Sequence, residues 1–260
     1  MHELCDDLAA EHADLDRIVS GAIDDDRLDV VTPAEGWTVR DQVSHLWFFD
    51  QRALLALVDP DAFAADAASF AERGTDASLD LGRRSSPTEL LDGWRHDRDR
   101  LVDHARTLEP RARVPWYGPP MGARSFVTAR LMETWAHGQD VVDALGAARE
   151  PTDRLRHVAH IGIGARPFSY VTNGRSMPDA PIGVELRSPS GEVWTWGPDE
   201  AADRVGGPAL DFCLLVTQRR HRDDLDLDVR GDAADDWLQI AQAFAGPPGP
   251  GRMPGGLTGP

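Results

Sequence analysis

Gly36-Trp37-Thr38-Val39-Arg40-Asp41-Gln42-Val43-Ser44-His45-Leu46 is the stretch whose reading decides the fold. Thr38 followed three residues later by Asp41 is a helix-start pattern akin to a capping box. Val39, Val43, Leu46, Trp47, Leu54 and Leu57 then recur at helical spacing, and Pro60 stops the run. His45 falls inside this helix on a largely apolar face. A histidine there is ordinarily a satisfied core residue, and it gains chemical meaning only if another helix brings it a partner.

The flanking chain supplies such helices. Glu3 to Ile23 carries Leu4, Leu8, Leu15, Ile18 and Ile23 mostly at helical spacing. Ser86-Pro87-Thr88-Glu89 offers a serine cap, a proline for the first turn and a glutamate at the third position, opening a helix to about Leu108. A fourth helix runs from about Ser125 to Leu145 and stops at Gly146. The Ala/Asp-rich stretch Asp61 to Leu81 reads as one short helix and a loop. Four long helices with moderate connections make a bundle.

Beyond residue 148 the pattern changes. Asp153 to about Tyr170 reads as helix, Ile182–Arg187 and Glu192–Trp196 alternate as strands, and Pro208–Gln218 reads as helix. Leu225–Arg230 reads as a strand and Ala233–Ala245 as a helix. The expected class is α+β: a helical bundle over 1–148, a small α+β domain over 149–246, and a tail over 247–260. The last 15 residues hold 11 Gly or Pro and exclude regular structure.

Within the fourth helix, Glu133 and His137 stand four apart and project from one face. Such a pair is commonly a surface pair, but Leu131, Met132, Trp135, Val141 and Val142 surround it, which suggests a cleft. If the second and fourth helices face each other, His45, Glu133 and His137 offer two imidazoles and one carboxylate. That set leaves positions open on a divalent ion, as catalytic metals require.

Composition narrows the classes. The chain has 260 residues, 41% hydrophobic and 27% charged, an ordinary soluble profile. Its net charge is −17, and all 27 of its basic Lys/Arg residues are arginine, the mark of a GC-rich, actinobacterial genome. An acidic surface argues against nucleic acid and against an anionic membrane. The acidic N-terminus, the lack of a membrane-length apolar run and only two cysteines, Cys5 and Cys213, point to the cytoplasm. A small molecule is the expected partner, with the chain a monomer or homodimer.

The motifs Gly36–Leu46 (GWTVRDQVSHL) and Met132–Asp140 (METWAHGQD) resemble the DinB-like superfamily, and within it the N-terminal domain of mycothiol-dependent maleylpyruvate isomerase. The resemblance covers residues 1 to about 145. It implies a DinB-like four-helix bundle holding a divalent metal, usually zinc, with the ligand roles on His45, Glu133 and His137. Residues 211–229 (DFCLLVTQRRHRDDLDLDV) and 237–252 (WLQIAQAFAGPPGPGR) resemble an actinobacterial metal-binding subfamily whose C-terminal domain is labelled wyosine-base-formation-like. That label does not imply tRNA modification here, because the radical enzyme's cysteine cluster is missing and the charge is wrong. This half departs from the isomerase, so metal binding carries over better than maleylpyruvate as substrate.

Arg219-Arg220-His221-Arg222 is the densest positive spot in the chain. It reads either as compensation of a helix C-terminal dipole or as an anion clamp for a carboxylate-bearing substrate or thiol cofactor. In the second reading Arg222 and His221 are the catalytic candidates and Arg219 and Arg220 bind the cofactor. His157 and His160 read as ordinary helix residues, and His96 and His104 lie on a solvated charged face. The loop Val114–Gly122, with Trp116 and Tyr117, leads into the fourth helix and suits either a substrate wall or a packed cover.

The function expected from this set is a metal-dependent enzyme on a small organic substrate. Its metal is zinc first, nickel or iron next, and it activates mycothiol or water for isomerisation or S-transfer. The alternatives are a thiol-free cyclase, lyase or hydrolase of secondary metabolism, and a non-catalytic metal-stabilised metabolite-binding protein.

Overall fold

In the computed structural model, which describes residues 1–249 and 251–255, the chain folds as two units that divide between Ala148 and Arg149. The first runs α1 (His2–Asp24), α2 (Val39–Val58), α3 (Pro60–Arg73), a 3-10 turn (Thr75–Ser78), α4 (Asp80–Arg84), α5 (Pro87–Arg106), a hairpin of β1 (Arg113–Val114) with β2 (Met121–Gly122), and α6 (Ala123–Leu145). α1 and α2 each pack against both α5 and α6, which is a four-helix bundle. Val19, Val43, Leu46, Leu90, Trp94 and Val141 are buried in its core.

The helix boundaries follow from local chemistry. The Thr38 hydroxyl accepts from the Asp41 N–H while the Asp41 carboxylate accepts from the Thr38 N–H, a complete capping box. Ser86 and Glu89 repeat the device at α5, with Pro87 in the first turn. α6 ends on Gly146, whose φ of 62° is left-handed and suits glycine.

Asp61 to Leu81 is more helical than the sequence suggests, because α3, the 3-10 turn and α4 occupy nearly all of it. Asp59 accepts from the Ala62 N–H and Pro60 fills the first turn, so α3 starts earlier than the Ala/Asp composition implied.

One side chain from each long helix meets in a buried polar layer. Asp50 of α2 is fully buried; its Oδ1 accepts from Arg130 Nε at 3.1 Å and Nη2 at 2.9 Å, and its Oδ2 from Trp94 Nε1 at 3.0 Å. His12 Nε2 lies 3.9 Å from the same Oδ2, too far for a hydrogen bond. Burial pushes the His12 pKa from 6.5 to about 4; Asp50 opposes this shift, while Arg98 and Arg130 reinforce it.

A folded pKa below the unfolded one means the unfolded chain binds the extra proton. The stabilisation is full above pH 6.5 and is lost as pH falls from there toward about 4. Its full size is about 3 kcal/mol. Urea midpoints measured from pH 7 to pH 4.5 should fall for the native chain and fall less steeply for His12→Gln. Parallel slopes in the two proteins would refute this assignment.

The second unit runs α7 (Leu155–Gly164), α8 (Arg166–Thr172), β3 (Ile182–Arg187), β4 (Val193–Trp196), β5 (Asp203–Pro208), α9 (Ala209–Val216), a 3-10 turn (Arg222–Asp224), β6 (Asp228–Arg230) and α10 (Asp232–Leu238). Its sheet has the order β4-β3-β5-β6, with β3 and β5 parallel and the other pairs antiparallel. The expected helix from Asp153 to Tyr170 is two helices, since Pro167 has no N–H to continue the ladder. The expected helix Ala233–Ala245 stops at Leu238. Beyond it Gln242 N–H bonds Ser169 Oγ at 3.0 Å and Ala243 N–H bonds the Val216 carbonyl at 2.7 Å.

β5 escapes sequence reading altogether: Asp-Arg-Val-Gly-Gly-Pro has one buried apolar residue and no alternation. Of the Gly/Pro-rich tail, residues 250 and 256–260 lie outside the described residues. Among the described residues no helix is long and apolar enough to cross a membrane.

Candidate metal centre

α2 carries His45, and α6 carries Glu133 and His137 one turn apart. One ligand atom from each of these three residues lies within 4.8 Å of the others, and all three side chains are half-buried. The imidazole rings of His45 and His137 are 4.5 Å apart between centroids. Facing α2 and α6 therefore bring together the two imidazoles and the carboxylate that the sequence placed on separate helices.

Hydrogen bonds behind the rings fix where each proton sits. Thr32 Oγ1 donates to the Trp37 carbonyl at 3.0 Å and accepts from Gln42 Nε2 at 3.0 Å. That orients the buried Gln42 amide so that its Oε1 faces His137 Nδ1 at 2.6 Å. An amide oxygen only accepts, so His137 Nδ1 carries the hydrogen and the neutral ring has its lone pair on Nε2.

Ser78 does the same for His45. Its hydroxyl donates to the Thr75 carbonyl at 2.6 Å, leaving oxygen lone pairs for His45 Nδ1 at 2.9 Å. His45 Nδ1 is therefore the donor and Nε2 again has the lone pair.

Ser78 is held in place by Ser44, the neighbour of His45 on α2. Ser44 Oγ donates to the Ser78 carbonyl at 2.8 Å and accepts from the Gly82 N–H at 2.9 Å. A side chain on Gly82 would place its Cβ 2.4 Å from Ser44 Cβ, so only glycine lets α4 seat this closely.

His137 Nε2 and Glu133 Oε2 stand 3.3 Å apart. With Nδ1 donating to Gln42, these are two electron-rich atoms facing each other. They require a positive charge between them, either a proton or a metal ion. His45, the third donor within reach, makes the set fit a divalent ion, because N, N and O donors braced from behind are the recurring pattern of such sites.

Aromatic rings frame the centre. Trp37 stacks on His137 at 5.9 Å and 12° and leans on His45 at 5.0 Å. Phe49 lies 4.7 Å from His45. The loop Val114–Gly122 is closed by the β1–β2 hairpin, and its Trp116 stacks on buried Phe63 at 5.5 Å and 3°. Burial pushes the Tyr117 phenol up to about 12, so it stays protonated.

Gln42, Ser78 and Trp37 are the site residues that sequence reading missed. Gln42 and Trp37 stand inside the quoted motif and could have been found there. Ser78 sits 33 residues from its partner, at the end of a 3-10 turn, and carried no signal.

The basic cluster lies in the second unit. Arg219 Nη1 donates to the Thr217 carbonyl at 2.6 Å and Arg220 Nη1 to the Arg219 carbonyl at 2.7 Å, just past the end of α9. Arg222 Nη2 pairs with Asp235 Oδ1 at 2.7 Å, and His221 Nδ1 accepts from the Asp223 N–H at 3.1 Å. Arg220, His221 and Arg222 also line a cavity of about 410 Å³, with Gln218, Gln239 and Arg252.

His96 and His104 are exposed, as a solvated face requires. His160 Nδ1 accepts from Trp196 Nε1 at 3.3 Å. Cys5 and Cys213 are buried and unbridged, and burial raises both thiol pKa values.

Residues 8–142 match the family described as the mycothiol maleylpyruvate isomerase N-terminal domain, and residues 178–228 match the one described as wyosine base formation. Uncharacterized proteins from two strains of Mycobacterium tuberculosis are each 49% identical over 250 residues, covering 95% of this chain and 96% of theirs. The crystal structure of the mycothiol-dependent maleylpyruvate isomerase aligns with a TM-score of 0.57 at 17% identity, over 87% of this chain and 92% of that one. A histidine-to-alanine mutant of that isomerase aligns with a TM-score of 0.56 over the same shares. The fold is thus shared with these structures, and the match over 8–142 places this chain in the mycothiol maleylpyruvate isomerase N-terminal domain family.

Proposed function

We propose that this chain is a metal-dependent enzyme of the isomerase or S-transferase kind, acting with a low-molecular-weight thiol on a small organic substrate. The observation that carries the reading is the pair of histidines whose Nδ1 hydrogens are both committed, to Gln42 and Ser78, beside the Glu133 carboxylate. His45, Glu133 and His137 would hold the ion, zinc first and nickel or iron as alternatives. Bound there, such an ion supplies Lewis acidity and lowers the pKa of a thiol or water.

The chain's own residues do the rest. Gln42 and Ser78 keep the protons on Nδ1, and Trp37 covers one side of both imidazoles and keeps water from it. Neither cysteine can serve as the nucleophile: both are buried with raised pKa values, so a reacting thiolate must arrive with a cofactor. The family name makes mycothiol the first thiol to test.

The reading gives Arg219, Arg220, His221 and Arg222 to the anionic group of the substrate or cofactor. Arg222 cannot shuttle a proton, since a guanidinium stays charged; its part is charge stabilisation. Arg220→Ala or Arg222→Ala should keep the metal and weaken substrate binding roughly ten- to a hundredfold per lost charge-assisted bond. Unchanged affinity in both variants would leave the cluster as a cap on α9.

Bracing also has a measurable worth. Gln42→Met removes the acceptor behind His137 and should weaken metal binding about 10- to 100-fold in a competition titration with a chelator. An unchanged affinity would mean that Gln42 does not orient the ring. The function itself is tested by incubating the metal-loaded protein with mycothiol and a panel of conjugated electrophiles. Thiol-dependent turnover supports the reading, and turnover that is indifferent to thiol moves the chain to a hydrolase or cyclase.

A further inference from the structure

We infer that the part of the ligand seated at the centre is an uncharged, flat conjugated ring, laid against Phe49, Phe70, Trp116 and Tyr117, rather than a dicarboxylate. This rests on the metal-site reading above and names the substrate class of that same site.

The rings form a continuous wall that begins at a metal-ligand candidate. Phe49 contacts His45 at 4.7 Å, and from Phe49 the wall continues to Phe70 at 5.5 Å, Tyr117 at 5.8 Å and Trp116 at 6.4 Å. It has two layers. Phe63 and Phe126, behind Trp116, are each 1% exposed, as core rings should be. Phe49, Phe70, Trp116 and Tyr117 are only half-buried. Large rings left partly open beside a site with free coordination positions are the apolar lining of a ligand pocket.

The wall is also electrically neutral. Arg52, whose guanidinium lies over Phe48, is held by both oxygens of Asp66 at 3.1 Å. Arg130 is likewise held by buried Asp50. The Tyr117 hydroxyl is buried beside Arg52, whose charge Asp66 already balances, so the open part of that residue is not its polar tip. A dicarboxylate held at the centre through one carboxylate would lay the other along this wall, where it would lose hydration and meet only an arginine already paired with Asp66, whereas a flat apolar ring gives up little hydration there.

The test is calorimetric binding of two unreactive probes to the zinc-loaded protein without thiol: 2-naphthol, flat and uncharged, and maleate, a dianion. We expect 2-naphthol to bind at least about tenfold more tightly than maleate, and Trp116→Ala to weaken 2-naphthol about tenfold while zinc content stays unchanged. Phe70→Ala, further from the buried layer, covers the case in which Trp116→Ala does not fold, and Trp116→Phe should restore much of the affinity.

Tighter binding of maleate, no measurable 2-naphthol binding, or 2-naphthol affinity unmoved in the folded variants would overturn the inference. Because no thiol is present, failure of mycothiol turnover alongside the expected 2-naphthol result would count against the thiol reading alone. Thiol turnover with no preference for 2-naphthol would count against this inference alone.

Discussion

His137→Ala and Glu133→Ala are each expected to yield a folded bundle that has lost its divalent metal and its activity. Either change leaves only two of the three donors that lie within 4.8 Å of one another. Loss of a residue that merely orients a ligand costs about 10- to 100-fold in metal affinity, and loss of the ligand itself should cost more. Both side chains are half-buried at the edge of the core, so truncation should leave the helices intact. Far-ultraviolet circular dichroism and elemental analysis on the same preparations would check this. A variant that keeps its native metal content would remove that residue from the ligand set.

Asp50→Ala should have the largest effect on stability. Asp50 and Arg130 are almost wholly buried, and the substitution leaves the Arg130 guanidinium in the bundle interior without its carboxylate. It also leaves the Trp94 indole N–H without its acceptor. Breaking a buried pair on one side costs about 3–5 kcal/mol, because the remaining charge is uncompensated. Asp50→Asn keeps an acceptor and should cost less. Chemical denaturation with equal m-values in all proteins would give the numbers. A loss under about 1 kcal/mol in Asp50→Ala would mean that water or a rearranged partner replaces the carboxylate.

How much was legible in the sequence differs between the two units for a physical reason. The bundle is built from local signals: Thr38 with Asp41 and Ser86 with Glu89 cap α2 and α5, and the apolar spacing after each cap marks the face that is buried. Glu133 and His137 were readable as a pair because both stand on one helix, and His45 because α2 faces α6 in such a bundle.

Non-local contacts were not readable. β5 exists because β3 pairs with it directly and in parallel, although β4 comes between them in the chain, and its own residues carry no strand pattern. α10 ends where Gln242 and Ala243 find partners on Ser169 and Val216. The bracing of His45 depends on Ser78, which a clamp through Ser44 and Gly82 brings to it. The arginine cluster was readable as charge but not as geometry: Arg222 is already engaged with Asp235, which the linear order RRHRDD does not reveal.

The central claim is that two imidazoles, their Nδ1 hydrogens held by Gln42 and Ser78, present Nε2 with Glu133 to one divalent ion. A crystal structure of the zinc-loaded protein tests it most directly. The account predicts one ion with His45 Nε2, His137 Nε2 and a Glu133 carboxylate oxygen each ~2.0 to 2.2 Å away. An ion bound through Nδ1 of either histidine, or zinc bound elsewhere while these three side chains stay unengaged, would contradict it.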